Sequence, residues 1–202
     1  MKRIFSLIAC FIFGLSGCAA VTQLASGEQE LDPRFERLFN SDAPKYSFYA
    51  QSSGVRSVLV LLERGEGTST WIGPFGEGMI VRDGMIIGTR GFGEGLIAVD
   101  LSEVLPLILN SQMGQAERFH SYHAFGTQTE VRAYVCDVTP MGTGTVLRGA
   151  QAVSARTVEE DCTGPSGDFI NKYWIASGEV IQSRQWVGPR LGSVTIGLQE
   201  ND

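Results

Sequence analysis

The chain has 202 residues, 43% of them hydrophobic, with 16 Lys plus Arg against 22 Asp plus Glu and a formal net charge of −6. This hydrophobic content excludes disorder of the whole chain, because it is sufficient for a core. The acidic balance leaves no basic surface for a phosphate backbone and argues against a nucleic-acid partner. The 25 glycines lie in clusters between apolar runs and show no G-X-Y period, which is typical of a turn-rich β protein.

The start of the chain has the pattern of a secretory signal. Basic Lys2 and Arg3 precede an apolar run over residues 4–15, which is too short to cross a bilayer. The run leads into Leu15-Ser16-Gly17-Cys18, which resembles the lipobox of bacterial lipoproteins. In that class the signal is cut before the cysteine, which then carries acyl chains such as palmitate. We therefore predict that residues 1–17 are a signal peptide and that Cys18 is the lipid attachment site, anchoring the protein without spanning the membrane.

The residues after Cys18 predict a tether and a cellular location. Ala19 stands where an Asp is the usual inner-membrane retention signal, so the expected location is the outer membrane, facing the periplasm. Residues 18–31 are small and polar and are predicted to be a lipidated tether, followed by a single β domain at 32–202. Without Lys2 and Arg3 the 16 basic residues become 14, against 22 acidic ones, so the predicted mature chain has a net charge of −8.

The domain is predicted to be mainly β, a single antiparallel curled sheet or half-open barrel with one or two short helices. A helix is expected from Asp32-Pro33 to Phe39, and a second one over 101–110. The Asp83-Gly84 pair indicates a tight hairpin. After a first strand from Tyr46, strands are predicted at 56–64, which reads as buried on both faces, and at 68–72, 78–82, 85–89, 117–125, 129–138, 151–160, 168–175, 179–187 and 193–198.

The two cysteines of the predicted domain are Cys136 and Cys162. An even pair in an exported protein indicates a disulfide. Two buried free thiols are the alternative, because spacing alone does not show that the Cβ atoms meet.

Catalytic patterns are scarce. His120 and His123, the only histidines, point to opposite faces of a strand and so cannot share a metal or a nucleophile. The glycine-rich stretches at 65–67 and 91–95 carry a Glu and run into strands, unlike a phosphate cradle. We therefore expect no enzyme, no cofactor and no metal. A weak glycosidase alternative is left by the acids Glu66, Glu77, Glu94, Asp100 and Glu103.

Aromatic side chains give the one hint of binding. Trp71, Tyr173 and Trp174 lie on predicted strands, and with Arg184 they are candidate contacts for a glycan or a partner. Tyr173 and Trp174 face opposite ways and cannot share one core, so either both faces of the sheet are covered or one ring is free to stack. Core packing is the alternative for each ring.

Taken together, these motifs resemble the group 4 capsule polysaccharide lipoproteins, GfcB and YjbF. The resemblance rests on the Cys18 lipobox, Tyr46-Ser47, the apolar strand before Trp71, the Asp83-Gly84 hairpin and the segment Tyr-Trp-Ile-Ala-Ser-Gly-Glu-Val-Ile-Gln-Ser-Arg-Gln at 173–185. It implies a half-open curled sheet similar to lipoprotein carriers such as LolA. It also implies a periplasm-facing outer-membrane lipoprotein encoded beside polysaccharide export genes, with no catalytic residues to carry over.

Two functions follow as expectations. The first is a non-enzymatic accessory factor in exopolysaccharide or capsule production or export, with other export proteins or the polysaccharide itself as partners. The second is a periplasmic carrier that binds a lipid or acyl chain inside the curled sheet.

Overall fold

The structure, a computed structural model, describes residues 33–92, 95–124 and 128–199. The predicted signal peptide, Cys18 and the tether lie outside these residues. Two short helices, α1 (Pro33–Phe39) and α2 (Val104–Asn110), accompany the strands over the described ranges. Neither helix has the length and apolar content needed to span a membrane.

The strands form one antiparallel sheet, as the sequence predicts. Their bounds are β1 Lys45–Ala50, β2 Arg56–Arg64, β3 Ser69–Ile72, β4 Gly78–Arg82, β5 Met85–Arg90, β6 Leu96–Asp100, β7 Gly114–His123, β8 Thr129–Arg148, β9 Gln151–Thr163, β10 Phe169–Ala176, β11 Glu179–Trp186 and β12 Ser193–Leu198.

The order of strands across the sheet is β5-β4-β3-β2-β1-β12-β11-β10-β9-β8-β7-β6. Strands that are adjacent in the sheet are also consecutive in the chain, except at the centre. There β1 pairs with β12 from Tyr46↔Leu198 to Ala50↔Val194. The two end strands, β5 and β6, approach each other, and the amide nitrogen of Leu96 donates to Oγ1 of Thr89 at 3.0 Å. The sheet is therefore nearly closed into a barrel.

Tight turns with left-handed residues join the strands. Asp83 and Gly84 have φ of +50° and +78°, which confirms the predicted hairpin between β4 and β5. The turn between β10 and β11 has the same geometry, with φ of +53° at Ser177 and +85° at Gly178.

The interior of the curled sheet is filled by two clusters of buried side chains. The first cluster includes Trp71, and the second includes Tyr173 together with Val104 and Ile108 of α2. Where these clusters pack, the described side chains leave no room for an acyl chain, so this part of the interior gives no support to the carrier hypothesis.

Two expectations about strands need correction. Strand β2 is buried on both faces only at its centre, where the neighbours Leu59 and Val60 are fully buried, whereas Val58 and Leu62 are 37% and 44% exposed. Over the described residues no second sheet covers the outer face, and only the short helix α1 packs against β2 there. Strand β8 does not end at 138 but continues through a bulge between Pro140 and Gly142 to Arg148, paired with β9. Proline and the following glycines indicate a loop, but a bulge accommodates them.

Candidate functional site

A buried ion pair joins two strands that are not neighbours. Nη1 of Arg118 on β7 lies 2.9 Å from Oε1 of Glu160 on β9, and the side chains are 1% and 0% exposed. The Glu160 carboxylate also accepts hydrogen bonds from the Tyr173 hydroxyl at 2.7 Å and from Nδ2 of Asn171 at 2.8 Å. Every donor faces the inside of the sheet, so the charge of Glu160 is fully compensated.

His120 extends this network along β7. Its Nε2 accepts a hydrogen bond of 2.8 Å from Nε of Arg118. Because a guanidinium only donates, Nε2 carries no proton, and Nδ1–H donates to the Tyr122 hydroxyl at 2.9 Å. Burial, with the charges of Arg118 and Arg132, lowers the pKa of His120 to about 2. His123 is exposed, so the predicted opposite orientation of the two histidines is confirmed.

A disulfide lies next to the ion pair. Cys136 and Cys162 face each other on β8 and β9 and are bonded, with Cα atoms 4.0 Å apart. The predicted disulfide is therefore confirmed over the free-thiol alternative. The two sulfurs and a Glu160 oxygen lie within 4.8 Å of one another. The sulfurs are bonded to each other and Glu160 is held by Arg118, so this group offers no free set of metal ligands.

The network is sealed from solvent. Arg118, His120, Glu160 and Asn171 are all at most 1% exposed, so no substrate can contact them in this conformation. Sequence reasoning missed the network, although a signal was present. Residues alternate between the two faces of a strand, and Arg118 lies on the same face of β7 as its buried residues. Charged residues on the inward faces of two strands of one sheet indicate a buried ion pair.

A cavity of about 540 Å³ opens where the β2–β3, β4–β5 and β10–β11 turns meet. Tyr46 and Trp71, only 6% and 2% exposed, form its aromatic floor, with ring centroids 4.2 Å apart. The Trp71 indole N–H donates to Oγ of Ser69 at 2.8 Å. Other lining residues include Thr68, Val81, Leu109, Val180 and Leu198.

Four charged side chains surround this floor: Arg64, Asp83, Arg148 and Glu179. Within the described ranges, none of the four makes an ion pair or a side-chain hydrogen bond, and Nε of Arg148 is buried without an acceptor. The charges of Arg64, Arg148 and Glu179 act on the Tyr46 hydroxyl. Burial raises the pKa of Tyr46 to about 12, with Arg64 and Arg148 acting to lower it and Glu179 to raise it.

The structure separates the predicted contact residues. Trp71 lines the cavity, whereas Tyr173 belongs to the buried network. Trp174 faces the other way, as predicted, and packs against the small cluster of Val146, Ala155 and Ile181. Arg184 is half-buried on β11, and its Nε has no partner among the residues described. These four side chains therefore form no common surface, and a glycan contact stays a prediction.

Three acids of the glycosidase alternative accept hydrogen bonds from backbone amides. Glu77, Asp100 and Glu103 accept them from the backbone nitrogens of Phe75, Ser102 and Glu117, at 2.9, 2.9 and 2.8 Å, and the last of these lies on β7. The hydrogen bonds from Ser102 lower the pKa of Asp100. Glu66 is exposed, and Glu94 lies outside the described residues. Bonding of these acids to the backbone gives no support to a glycosidase.

Comparison with known proteins places the fold in a family. The family model described as group 4 capsule polysaccharide lipoprotein gfcB, YjbF matches residues 20–198, and the chain therefore belongs to this family of lipoproteins. A relative from Escherichia coli (strain K12), described as uncharacterized lipoprotein YjbF, is 27% identical over 199 residues, covering 93% of this chain and 92% of that protein.

A solved structure shares the fold. The crystal structure of the hypothetical lipoprotein YmcC from Escherichia coli (K12) matches with a TM-score of 0.69 and 19% identity, over 82% of this chain and 88% of that one. The predicted resemblance and the predicted curled β sheet are both confirmed.

Proposed function

We propose that the protein is an outer-membrane lipoprotein that acts as a non-enzymatic accessory factor in the production or export of capsule or exopolysaccharide. The observation that carries this proposal is the family match across residues 20–198. The sealed ion-pair network supports a non-enzymatic role, since its reactive side chains do not reach solvent. The partners we propose are polysaccharide-export proteins or the polysaccharide itself.

The proposed anchor is an acylated Cys18, which would hold the β domain at the periplasmic face of the outer membrane. Three acyl chains hold a protein on a bilayer essentially permanently, because each buried methylene contributes about 0.8 kcal/mol. Function would then depend on this single thiol.

Deletion of the gene tests the role. Under conditions that induce the polymer, we expect the deletion strain to make altered amounts of secreted or surface polysaccharide, and the wild-type gene to restore it. Unchanged polymer in the deletion strain would contradict the proposal.

Substitution of the cysteine tests the anchor. Cys18→Ala should abolish labelling by radioactive palmitate, leave full-length precursor and fail to restore the polymer. Cys10→Ala is the matched control, because it removes the other leader thiol and should leave labelling and complementation intact. Palmitate labelling of the Cys18→Ala protein would show that the attachment site is elsewhere.

A further inference from the structure

We propose that the cavity framed by Tyr46, Trp71, Arg64, Arg148 and Glu179 is a binding site for an acidic sugar, a hexuronate unit of an oligosaccharide. This inference rests on the proposed function and names the chemical class of its ligand.

The dimensions and lining of the cavity suit a sugar ring. Its volume of about 540 Å³ lies within the range of small-ligand sites. Trp71 and Tyr46 line the cavity but are only 2% and 6% exposed, so they offer no open ring face for stacking. Val180 and Leu198 add apolar walls, and the charged groups at the rim are left as the main contacts for a sugar.

The rim supplies both kinds of polar partner that a hexuronate needs. Arg64 and Arg148 present guanidinium donors, which bind carboxylates in charge-assisted pairs. Asp83 and Glu179 present carboxylate oxygens, which accept hydrogen bonds from hydroxyl groups. No ion pair within 4.0 Å joins any of these four to another described residue, so their charges are available to a ligand.

Arg148 distinguishes an acidic sugar from a neutral one. Its Nε is buried and has no acceptor among the residues that the structure describes. A buried donor on a charged group without an acceptor is costly, and an anionic oxygen is its strongest partner. The chain as a whole has a net charge of −6, so its overall charge repels an acidic polymer. The affinity for a uronate would therefore come from this cluster.

Calorimetric titration tests the site directly. The full-length lipidated protein is purified in lauryldimethylamine oxide micelles, which contain no sugar headgroup, and titrated with trigalacturonate and with the neutral maltotriose. We expect saturable binding of trigalacturonate with one site per chain, and at least roughly tenfold weaker binding of maltotriose.

Variants locate the binding. Arg148→Gln should weaken trigalacturonate binding at least roughly tenfold, since it removes a charged donor and keeps a similar shape. Arg190→Gln, which removes an exposed charge from the β11–β12 loop outside the cavity lining, should leave binding unchanged. Circular dichroism melting curves that match wild type confirm that both variants are folded, and Glu179→Gln provides a second cavity variant should Arg148→Gln melt early.

Three results would overturn the inference: no saturable binding of trigalacturonate, equal binding of both sugars, or unchanged affinity in the folded cavity variants. These outcomes are independent of the gene-deletion test of the accessory role. A deletion strain with altered polymer but no uronate binding in vitro leaves the role intact and rejects the site. Binding as expected in a protein whose deletion leaves the polymer unchanged keeps the site and rejects the role.

Discussion

The carbonyl oxygen of Gly84, in the β4–β5 turn, accepts a hydrogen bond of 3.2 Å from Nε2 of Gln185 on β11, a strand that neighbours neither β4 nor β5 in the sheet. Oε1 of the same Gln185 amide accepts a hydrogen bond of 3.1 Å from the backbone nitrogen of Ile86. Ser183 adds a third bond, from its hydroxyl to Gly84 at 3.1 Å. The β4–β5 turn is thus attached to β11 across the interior, which holds the sheet in its curled form beside the cavity.

Alanine at Gly84 should destabilise the protein by about 2 to 4 kcal/mol, from the strain of a left-handed non-glycine residue and from overpacking. A Cβ atom there would lie 2.5 Å from Cβ of Val180 and 2.8 Å from its carbonyl oxygen. Gly178→Ala is the matched control, because Gly178 has a similar φ in an equivalent turn, and a Cβ atom added there would have no neighbouring atom within 4 Å. It should cost only about 1 to 2 kcal/mol. Chemical denaturation measures both, and equal losses would show that the close approach of Gly84 to Val180 places no steric limit on the turn.

Neutralising Glu160 should cost about 3 to 5 kcal/mol of unfolding free energy, because Glu160→Gln leaves the buried Arg118 guanidinium without its counter-charge. The adjacent Glu159 is the natural control. It pairs with Lys172 at 3.1 Å, and both side chains are more than a quarter exposed. Glu159→Gln should therefore change stability by less than about 1 kcal/mol. Urea denaturation of the two variants side by side gives the comparison, and similar small effects would argue against a structural role for the ion pair.

The stability of the protein should fall as the pH falls below about 6.5, in part because of His120. The pKa of this residue is lowered to about 2 in the folded chain, whereas an unfolded histidine titrates near 6.5. The unfolded state therefore binds one more proton between these values, and stability is present above this window and lost within it. The loss approaches 1.36 kcal/mol per pH unit, or about 2.5 kcal/mol between pH 6 and pH 4.

A variant isolates this contribution from that of the carboxyl groups. His120→Gln keeps an amide oxygen for Arg118 and an amide N–H for Tyr122, and has no proton to gain. Its unfolding free energy should decrease less steeply with falling pH than that of wild type, by the amount given above. His123→Gln should follow the wild-type curve, because His123 is exposed. Parallel curves for wild type and His120→Gln would mean that His120 is protonated in the folded protein.

Replacing both Cys136 and Cys162 by Ala should lower the unfolding free energy by about 3 to 4 kcal/mol in the chain-entropy account, given a sequence separation of 26. Mass spectrometry of the native protein should show a mass lower by two protons than that of the reduced chain. The denaturation midpoints of wild type and the double variant, both without reductant, test the energetic part. Coincident midpoints would show that the covalent link does not limit unfolding.

The sequence was sufficient for features that depend on local patterns. Apolar runs between turn residues predicted the strands other than β6, which no predicted range covers, and the pair Asp83-Gly84 predicted its hairpin, because few residues tolerate a left-handed conformation. It was not sufficient for contacts between distant residues. The attachment of Gly84 to Gln185 has no local signature. The alternation of buried positions shows that Arg118 and Glu160 both face inward, but not that they pair, because pairing depends on which strands curl toward one another. The extension of β8 past Pro140 was missed because local propensity was overridden by pairing with β9.

The site was predicted only in part. Trp71 was identified from its residue type, but its companions around the cavity are charged residues in turns or at strand ends, where a solvated role is the ordinary expectation. Arg64, Arg148 and Glu179 lie at the ends of three different strands, and only the curling of the sheet brings them to one opening.

The pairing of β1 with β12 determines the order in which parts of the sheet can form. The Ser47 hydroxyl donates to the carbonyl oxygen of Gly197 at 3.1 Å, across a separation of 150 residues, in the middle of the sheet. Closing a loop of that length costs about 4 kcal/mol of chain entropy. A chain that emerges from a ribosome or a translocon with its N-terminus first cannot form this ladder before its final strand is released. Until then β1–β5 and β6–β11 are two separate meanders, each with an open edge. The barrel closes as a late, cooperative event, and loss of residues 193–198 would remove the strand that pairs the two half-sheets through backbone hydrogen bonds at the centre.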